Sequence, residues 1–236
     1  MTDKISVVVR QTRPDDFDAI MRLSSRVYVD ARPWSPEQLL SHHEVFPEGQ
    51  LVAVEPASGR VLGMAASLIV FWDDYQAQGA WRDFTAGGSF TNHDPVKGRT
   101  LYGAEVMADP TVQGRGIGTA LYEARRAIAE RHGLLRIRAG ARLRGYGAVA
   151  ERMWVVDYVL AVVRGELSDP TLTFQLRRGF HVIDVVGGYL THDAESRGYA
   201  ATIQWLNPAV AKPDDYGTAI PLFAPYVPRP DSAPSP

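Results

Sequence analysis

The chain has 236 residues, enough to bury a core of ordinary size in one large domain or two small ones, and its 45% hydrophobic and 22% charged residues exclude general disorder. A formal net charge of −2 gives no field that would gather nucleic acid or an anionic membrane, so any phosphate site must be local. The absence of cysteine removes disulfides, thiolate metal ligands and a cysteine nucleophile together.

The start, Met1-Thr2-Asp3-Lys4, leads into an apolar run at residues 7–9 that is too brief for a signal peptide. The longest apolar stretch, residues 65–72, falls far short of a bilayer span. The expectation is a cytoplasmic protein with neither a membrane nor a nucleic acid as partner.

Residues 5–10 read as a β-branched strand, after which Pro14, Asp15 and Asp16 open a helix with Phe17, Ile20, Met21 and Val27 at helical spacing. Ser35-Pro36-Glu37 starts a second, shorter helix. Residues 51–54 and 61–71 are strands joined through Pro56, Ser58 and Gly59. From 73 to 99 the periodicity is lost in a long connection rich in aromatics, expected to be a packed or substrate-facing insertion.

Order returns as a strand at 101–108 and a helix at 116–132, closed by Gly133. Ala120, Leu121, Ala124, Ala127 and Ile128 are expected to face the core, with Arg125, Arg126, Glu130 and Arg131 outward. A strand at 134–138, helices at 148–163 and 171–178, and strands at 181–187 and 200–206 complete an alternating α/β chain. Eight of the sixteen prolines lie in the last 30 residues, which read as an extended tail with residues 220–227 docked on the domain. The expected division is a domain at 1–206 and a proline-rich tail at 207–236.

The informative segment is Gln113-Gly114-Arg115-Gly116-Ile117-Gly118-Thr119, between a strand and a helix. A helix N-terminus exposes unpaired N–H groups and a partial positive charge, and glycines let backbone approach phosphate oxygens without a Cβ in the way. Arg115 adds a direct or steering charge. A Walker loop would need Gly-Lys before Ser or Thr, and a Rossmann turn G-x-G-x-x-G; these glycines run G-x-G-x-G, and both fit poorly.

At these residues, three after Pro110, the chain resembles the GNAT superfamily of N-acetyltransferases, whose motif is Arg/Gln-x-x-Gly-x-Gly/Ala. The resemblance implies an α/β fold with a mixed, mostly antiparallel central sheet flanked by helices, and acetyl-CoA as cosubstrate. It implies that backbone of Met107 and Ala108 pairs with the pantetheine arm, and that Gln113, Gly114, Arg115, Gly116, Ile117, Gly118 and Thr119 hold the pyrophosphate. A narrower likeness, carried by Trp72-Asp73-Asp74-Tyr75, His93-Asp94-Pro95 and Leu172-Thr173-Phe174-Gln175-Leu176, is to the GNAT-like domain fused to carbon-nitrogen hydrolases. The hydrolase itself is not in these 236 residues and is expected as a separate partner.

Acetyl transfer to an amine needs a general base, because an alkyl ammonium with pKa of about 10.4 is almost wholly protonated at neutral pH. Glu105, on the strand that ends at the loop, stands close to where many GNAT enzymes carry such a carboxylate; its other reading is a strand carboxylate paired with an arginine. The family's Phe-Tyr-x-x-x-Gly-Phe motif matches Phe174-Gln175-Leu176-Arg177-Arg178-Gly179-Phe180, so Gln175 stands where a tyrosine would protonate the leaving thiolate. A glutamine amide has no ionisable proton to give. Ser168 falls where the family often has a coenzyme-contacting asparagine. Metal binding at His42-His43 is not expected, because adjacent histidines point apart and no carboxylate spacing completes a site. Tyr146, between two glycines, either lines the acceptor cleft or packs in a loop. The acceptor is an amine on a small molecule or a protein, and the rival reading is an acetyl-CoA-binding sensor or scaffold with weak catalysis.

Overall fold

The computed structural model describes residues 5–28, 33–75, 79–191 and 193–216. Residues 220–227 and the end of the proline-rich tail lie outside them. The fold class is the one expected: a mixed sheet of seven strands flanked by helices. The chain divides into two compact units, one within Met1–Gln76, Trp81–Ile137 and Asn207–Ala211, the other within Ala77–Ala80, Arg138–Leu206 and Lys212–Pro236.

In the first unit β1 (Val8–Gln11), β2 (Gln50–Val54), β3 (Val61–Val70) and β4 (Thr100–Ala108) lie side by side in that order, each antiparallel to the next. β3 is apolar at nearly every position and buried along its whole length, which is why it takes the interior of this row while β1 keeps an exposed edge. Helices α1 (Phe17–Val27) and α2 (Pro36–Val45) follow the expected starts. At α2 the cap is a reciprocal pair: Gln38 N–H donates to Ser35 Oγ at 3.2 Å, and Ser35 N–H donates to Gln38 Oε1 at 3.1 Å.

The connection between β3 and β4 is packed. It contains α3 (Trp81–Phe84), and Trp72, Tyr75 and Trp81 lie against a core that includes Phe84, Phe90 and Tyr102. Phe90 takes a positive φ of 62°, costly for a side chain with a Cβ, while its ring is fully buried and stacked at 3.6 Å on His42. The His42 Nε2 meets Gly88 O at 2.7 Å, and burial drops this imidazole to a pKa of about 4, so it is a neutral core group.

Helix α4 (Ile117–Arg131) departs from expectation on two points. Its inward residues are Ile117, Leu121, Tyr122, Arg125, Ile128 and Ala129, whereas Ala127 is exposed. Arg125, expected to face solvent, is inside. The 121, 125, 128 spacing is a helical stripe, and the arginine occupies it because the neighbouring strands offer oxygens to its guanidinium.

The second unit holds most of β5 (Arg136–Arg142), then α5 (Val155–Val163), α6 (Leu172–Leu176), β6 (His181–Val186) and β7 (Ala200–Leu206). β6 and β7 are antiparallel. The helix expected at 148–163 is shorter: Tyr146–Ala148 is a single 3-10 turn and Trp154 is the N-cap of α5. The described tail includes α7 (Pro213–Tyr216). Before it, Asn207 is fully buried and donates from Nδ2 to Leu134 O at 2.9 Å, which fixes Asn207–Ala211 to the first unit.

Candidate active site

β4 ends at Ala108, and the next residue organises the turn. Asp109 Oδ1 accepts from Thr111 N–H at 3.0 Å and from Thr111 Oγ1 at 2.8 Å, and Oδ2 accepts from Arg26 of α1 at 3.0 Å. Burial alone would raise this carboxyl, but Thr111 and Arg26 outweigh it and hold the group below its usual range. The charge of Asp109 is thereby used within the turn. A 3-10 turn at Pro110–Val112 then brings the chain to Gln113 with Val112 buried beneath it.

Gly114 and Gly116 have φ of 75° and 95°, values that a Cβ disfavours, so the loop can reverse and enter the helix only with glycines there. Gly116 is the N-cap of α4, without a side-chain cap and with no acidic residue in the first turn. Ala120 N–H makes a bond to Gly116 O at 3.1 Å, so the Ile117 and Gly118 amides precede the helical ladder. Ile117 is the anchor: its side chain is buried, while Gln113 and Gly114 are exposed and Arg115, Gly116, Gly118 and Thr119 half-buried. Gly63 of β3 makes room for it, since a Cβ there would lie 2.7 Å from Ile117 Cγ2 and 2.8 Å from Met107 O. Ile5 N–H donates to Arg115 O at 3.2 Å.

Glu105 lies on the same strand, half-buried, two residues before Met107 and three before Ala108, which pair with Met64 and Gly63. Its Oε1 accepts from Tyr28 Oη at 2.7 Å and from Val106 N–H at 3.0 Å. Arg125 donates to Glu105 through the backbone carbonyl, at 2.5 Å. A phenol and a guanidinium therefore meet this one residue from two helical elements, and Tyr28, beside the end of α1, was not anticipated from the sequence. The arginine signal was present in the helical stripe, but the tyrosine had none, being 77 residues away along the chain.

A family model for the acetyltransferase (GNAT) family matches residues 17–150, more than half of the chain. The chain belongs to the GNAT acetyltransferase family. Among curated proteins, the probable hydrolase YhcX of Bacillus subtilis (strain 168) is 38% identical over 201 residues, 85% of this chain and 39% of that protein. The uncharacterized N-acetyltransferase YkwB of the same organism is 32% identical over 206 residues, 86% of this chain and 89% of that protein. The chain thus spans well under half of the first relative and most of the second. Among solved structures, the GphF GNAT-like decarboxylase in complex with isobutyryl-CoA has a TM-score of 0.71 at 24% identity, covering 84% of this chain and 98% of that one, a likeness of fold. Family and relative together support acyl transfer in general.

The remaining GNAT-motif position, Gln175, lies in the second unit on α6 and is only 5% exposed. Its backbone carbonyl accepts from Arg178 N–H at 2.9 Å and Phe180 N–H at 3.3 Å. Ser168 is exposed. Tyr146 is buried, donates to Met153 O at 3.2 Å and meets Tyr158 and Tyr199, the packed-loop alternative.

Proposed function

We propose that this chain is an N-acyltransferase that moves acetyl from acetyl-CoA to an amine of a small molecule or a protein. One observation carries the reading: α4 opens on a positive-φ glycine with no side-chain cap and no first-turn acid, directly after the strand that bears Glu105. Such an end suits a diphosphate, because the amides and the helix dipole favour negative charge and nothing acidic competes. The bound isobutyryl-CoA of the GphF neighbour agrees with a CoA-type cosubstrate.

In this reading Gln113, Gly114, Arg115, Gly116, Ile117, Gly118 and Thr119 hold the pyrophosphate, and Met107 and Ala108 offer backbone to the pantetheine arm. Acetyl-CoA supplies an activated carbonyl carbon. Glu105 takes the proton of the acceptor ammonium, directly or through water, so that the nitrogen lone pair is available. Tyr28 holds the carboxylate in place through its hydrogen bond to Oε1. The C–N bond forms as the C–S bond breaks; the sulfur leaves as thiolate, helped by a thiol pKa of about 8.5, and the extra proton of the new amide nitrogen passes to that thiolate or to water. Gln175, at the family's tyrosine position, has no ionisable proton to give, so the leaving group relies on its own acidity and on water.

Calorimetry with acetyl-CoA and amine-dependent thiol release over a panel of amines test this. Glu105→Gln is expected to lower turnover about 100-fold with affinity for acetyl-CoA unchanged. Full turnover in that variant would make Glu105 structural. A second reading, a weakly catalytic acetyl-CoA sensor or scaffold working beside a separate carbon-nitrogen hydrolase, is favoured by Gln175 and by the identity with YhcX. Tight coenzyme binding with no amine-dependent thiol release would select it.

A further inference from the structure

β3 and β4 pair without interruption from Gly63 opposite Ala108 to Ala66 opposite Glu105, and then Ser67 stands opposite Gly103. Ala104 is the extra residue of a β-bulge. A bulge breaks the ladder, and a buried carbonyl left without a donor costs about 1–3 kcal/mol. Here the donors come from side chains of other elements. Trp81 Nε1 donates to Ala104 O at 2.9 Å. Arg125 donates from Nη2 to Ala66 O at 3.0 Å and to Glu105 O at 2.5 Å, and from Nε to Ser67 Oγ at 2.9 Å.

Arg125 is 1% exposed, and burial works against its charge, with Tyr122 and the Glu105 carboxylate opposing that effect. Stability alone would be served by a methionine or leucine in this stripe, between Leu121 and Ile128. What an apolar side chain lacks is a planar fork that joins oxygens on both strands at the bulge. The register matters because side chains alternate along a strand. Loss of the extra residue from the pairing slips one side by a single position and turns its side chains to the opposite face.

We infer that Arg125 is a positioning residue of the acyl-transfer site, locking β4 in its bulged register so that the Glu105 carboxylate points to Tyr28. The functional half of this inference rests on the acyltransferase reading; the register lock does not. Arg125 joins two parts of the site: α4 begins at the glycine loop, and β4 carries the base.

The test uses the full chain with Arg125→Met, Arg125→Lys, Glu105→Gln and the double variant Arg125→Met/Glu105→Gln, each checked for folding by circular dichroism. Acetyl-CoA affinity, turnover and KM for amine-dependent thiol release, and amide exchange along β4 are measured. Arg125→Met is expected to bind acetyl-CoA within about threefold of the parent, to lose at least about tenfold in turnover with little change in KM, and to exchange its β4 amides faster. Arg125→Lys recovers part of the turnover, since an ammonium can serve one of the oxygens. On the Glu105→Gln background Arg125→Met should cost less than about threefold, because its action passes through Glu105.

Parent-like turnover and β4 protection in Arg125→Met would overturn the inference. So would a full, additive loss on the Glu105→Gln background. Failure of both Arg125 variants to fold would assign the residue to stability and overturn it too. If the parent protein releases no thiol with any amine, the acyltransferase reading fails separately, and β4 exchange alone decides the lock: faster exchange in Arg125→Met supports it, unchanged exchange refutes it.

Discussion

Helices α4 and α6, one in each unit, begin in opposite ways. At α6 the carboxylate of fully buried Asp169 accepts from the Thr171 and Leu172 amides, each at 2.9 Å, through Oδ1, and from Gly145 N–H at 2.8 Å and Tyr158 Oη at 2.9 Å through Oδ2. That N-terminus is filled by the protein's own anion, which also pins a loop and pushes the Tyr158 phenol up through burial and its charge. At α4 the corresponding carboxylate, Asp109, is spent on Thr111 and Arg26, and the cap is a glycine. The same physics of unpaired amides serves architecture in one unit and, on the reading proposed above, serves an external anion in the other.

The sharpest way to break this contrast is to remove the internal anion. Asp169→Ala strands three backbone amides and a phenol in the interior, and is expected to cost about 3 kcal/mol or more in urea unfolding. A loss below about 1 kcal/mol would mean that water or rearrangement fills the place of the carboxylate.

Acid should act next, on the buried histidines. His42 is buried neutral, with a folded pKa of about 4 against an ordinary 6.5, so protonation favours the unfolded chain as pH falls between those values. Its contribution to stability, up to about 3 kcal/mol, is present above pH 6.5 and is lost on the way down to 4. In the second unit, burial would raise the Asp193 carboxyl, but Arg142 and Ser196 hold it below its ordinary value. Its contribution persists until the pH falls below the ordinary carboxylate range. Burial and the Arg138 charge also hold the His181 imidazole of the second unit below its ordinary value, so both units should lose stability as pH falls through the histidine range. In amide exchange from pH 7 to 4, His42→Gln should spare the first unit part of that loss, and loosening of the first unit unaffected by His42→Gln would contradict the role of His42.

At the open helix end, Gly116→Val places a β-branched residue at a φ of 95°, at a cost of about 1–2 kcal/mol in strain, and closes the approach to the backbone. Affinity for acetyl-CoA is expected to fall about tenfold or more by calorimetry, equivalent to about 1.4 kcal/mol. Equal affinity in a folded variant would remove the loop from the coenzyme site. The smallest effect belongs to Tyr28→Phe, which deletes one hydrogen bond to a carboxylate; turnover should fall about threefold to tenfold while coenzyme affinity stays level. A fall in affinity instead would place Tyr28 on the coenzyme.

The sequence by itself determined the order of the elements and the loop, because those features are written in neighbouring residues. β7 at Ala200–Leu206 falls where alternation puts it, and β4 begins one residue before its expected start. The turn at Gly116 is likewise local, since only glycine enters a helix easily from positive φ. Element ends were harder where apolar residues continued past a turn, as between Tyr146 and Val155. Only the tertiary structure decided which way Arg125 faces, where the bulge in β4 sits, and that Tyr28 meets Glu105. A bulge is a relation between two strands, and the oxygens that draw Arg125 inward, the Ser67 hydroxyl and the Ala66 and Glu105 carbonyls, lie 58 and 59 residues away on β3 and 20 residues away on β4. Periodicity reports which side of a helix is apolar; whether a cation can join that side depends on oxygens that folding alone brings within hydrogen-bond reach.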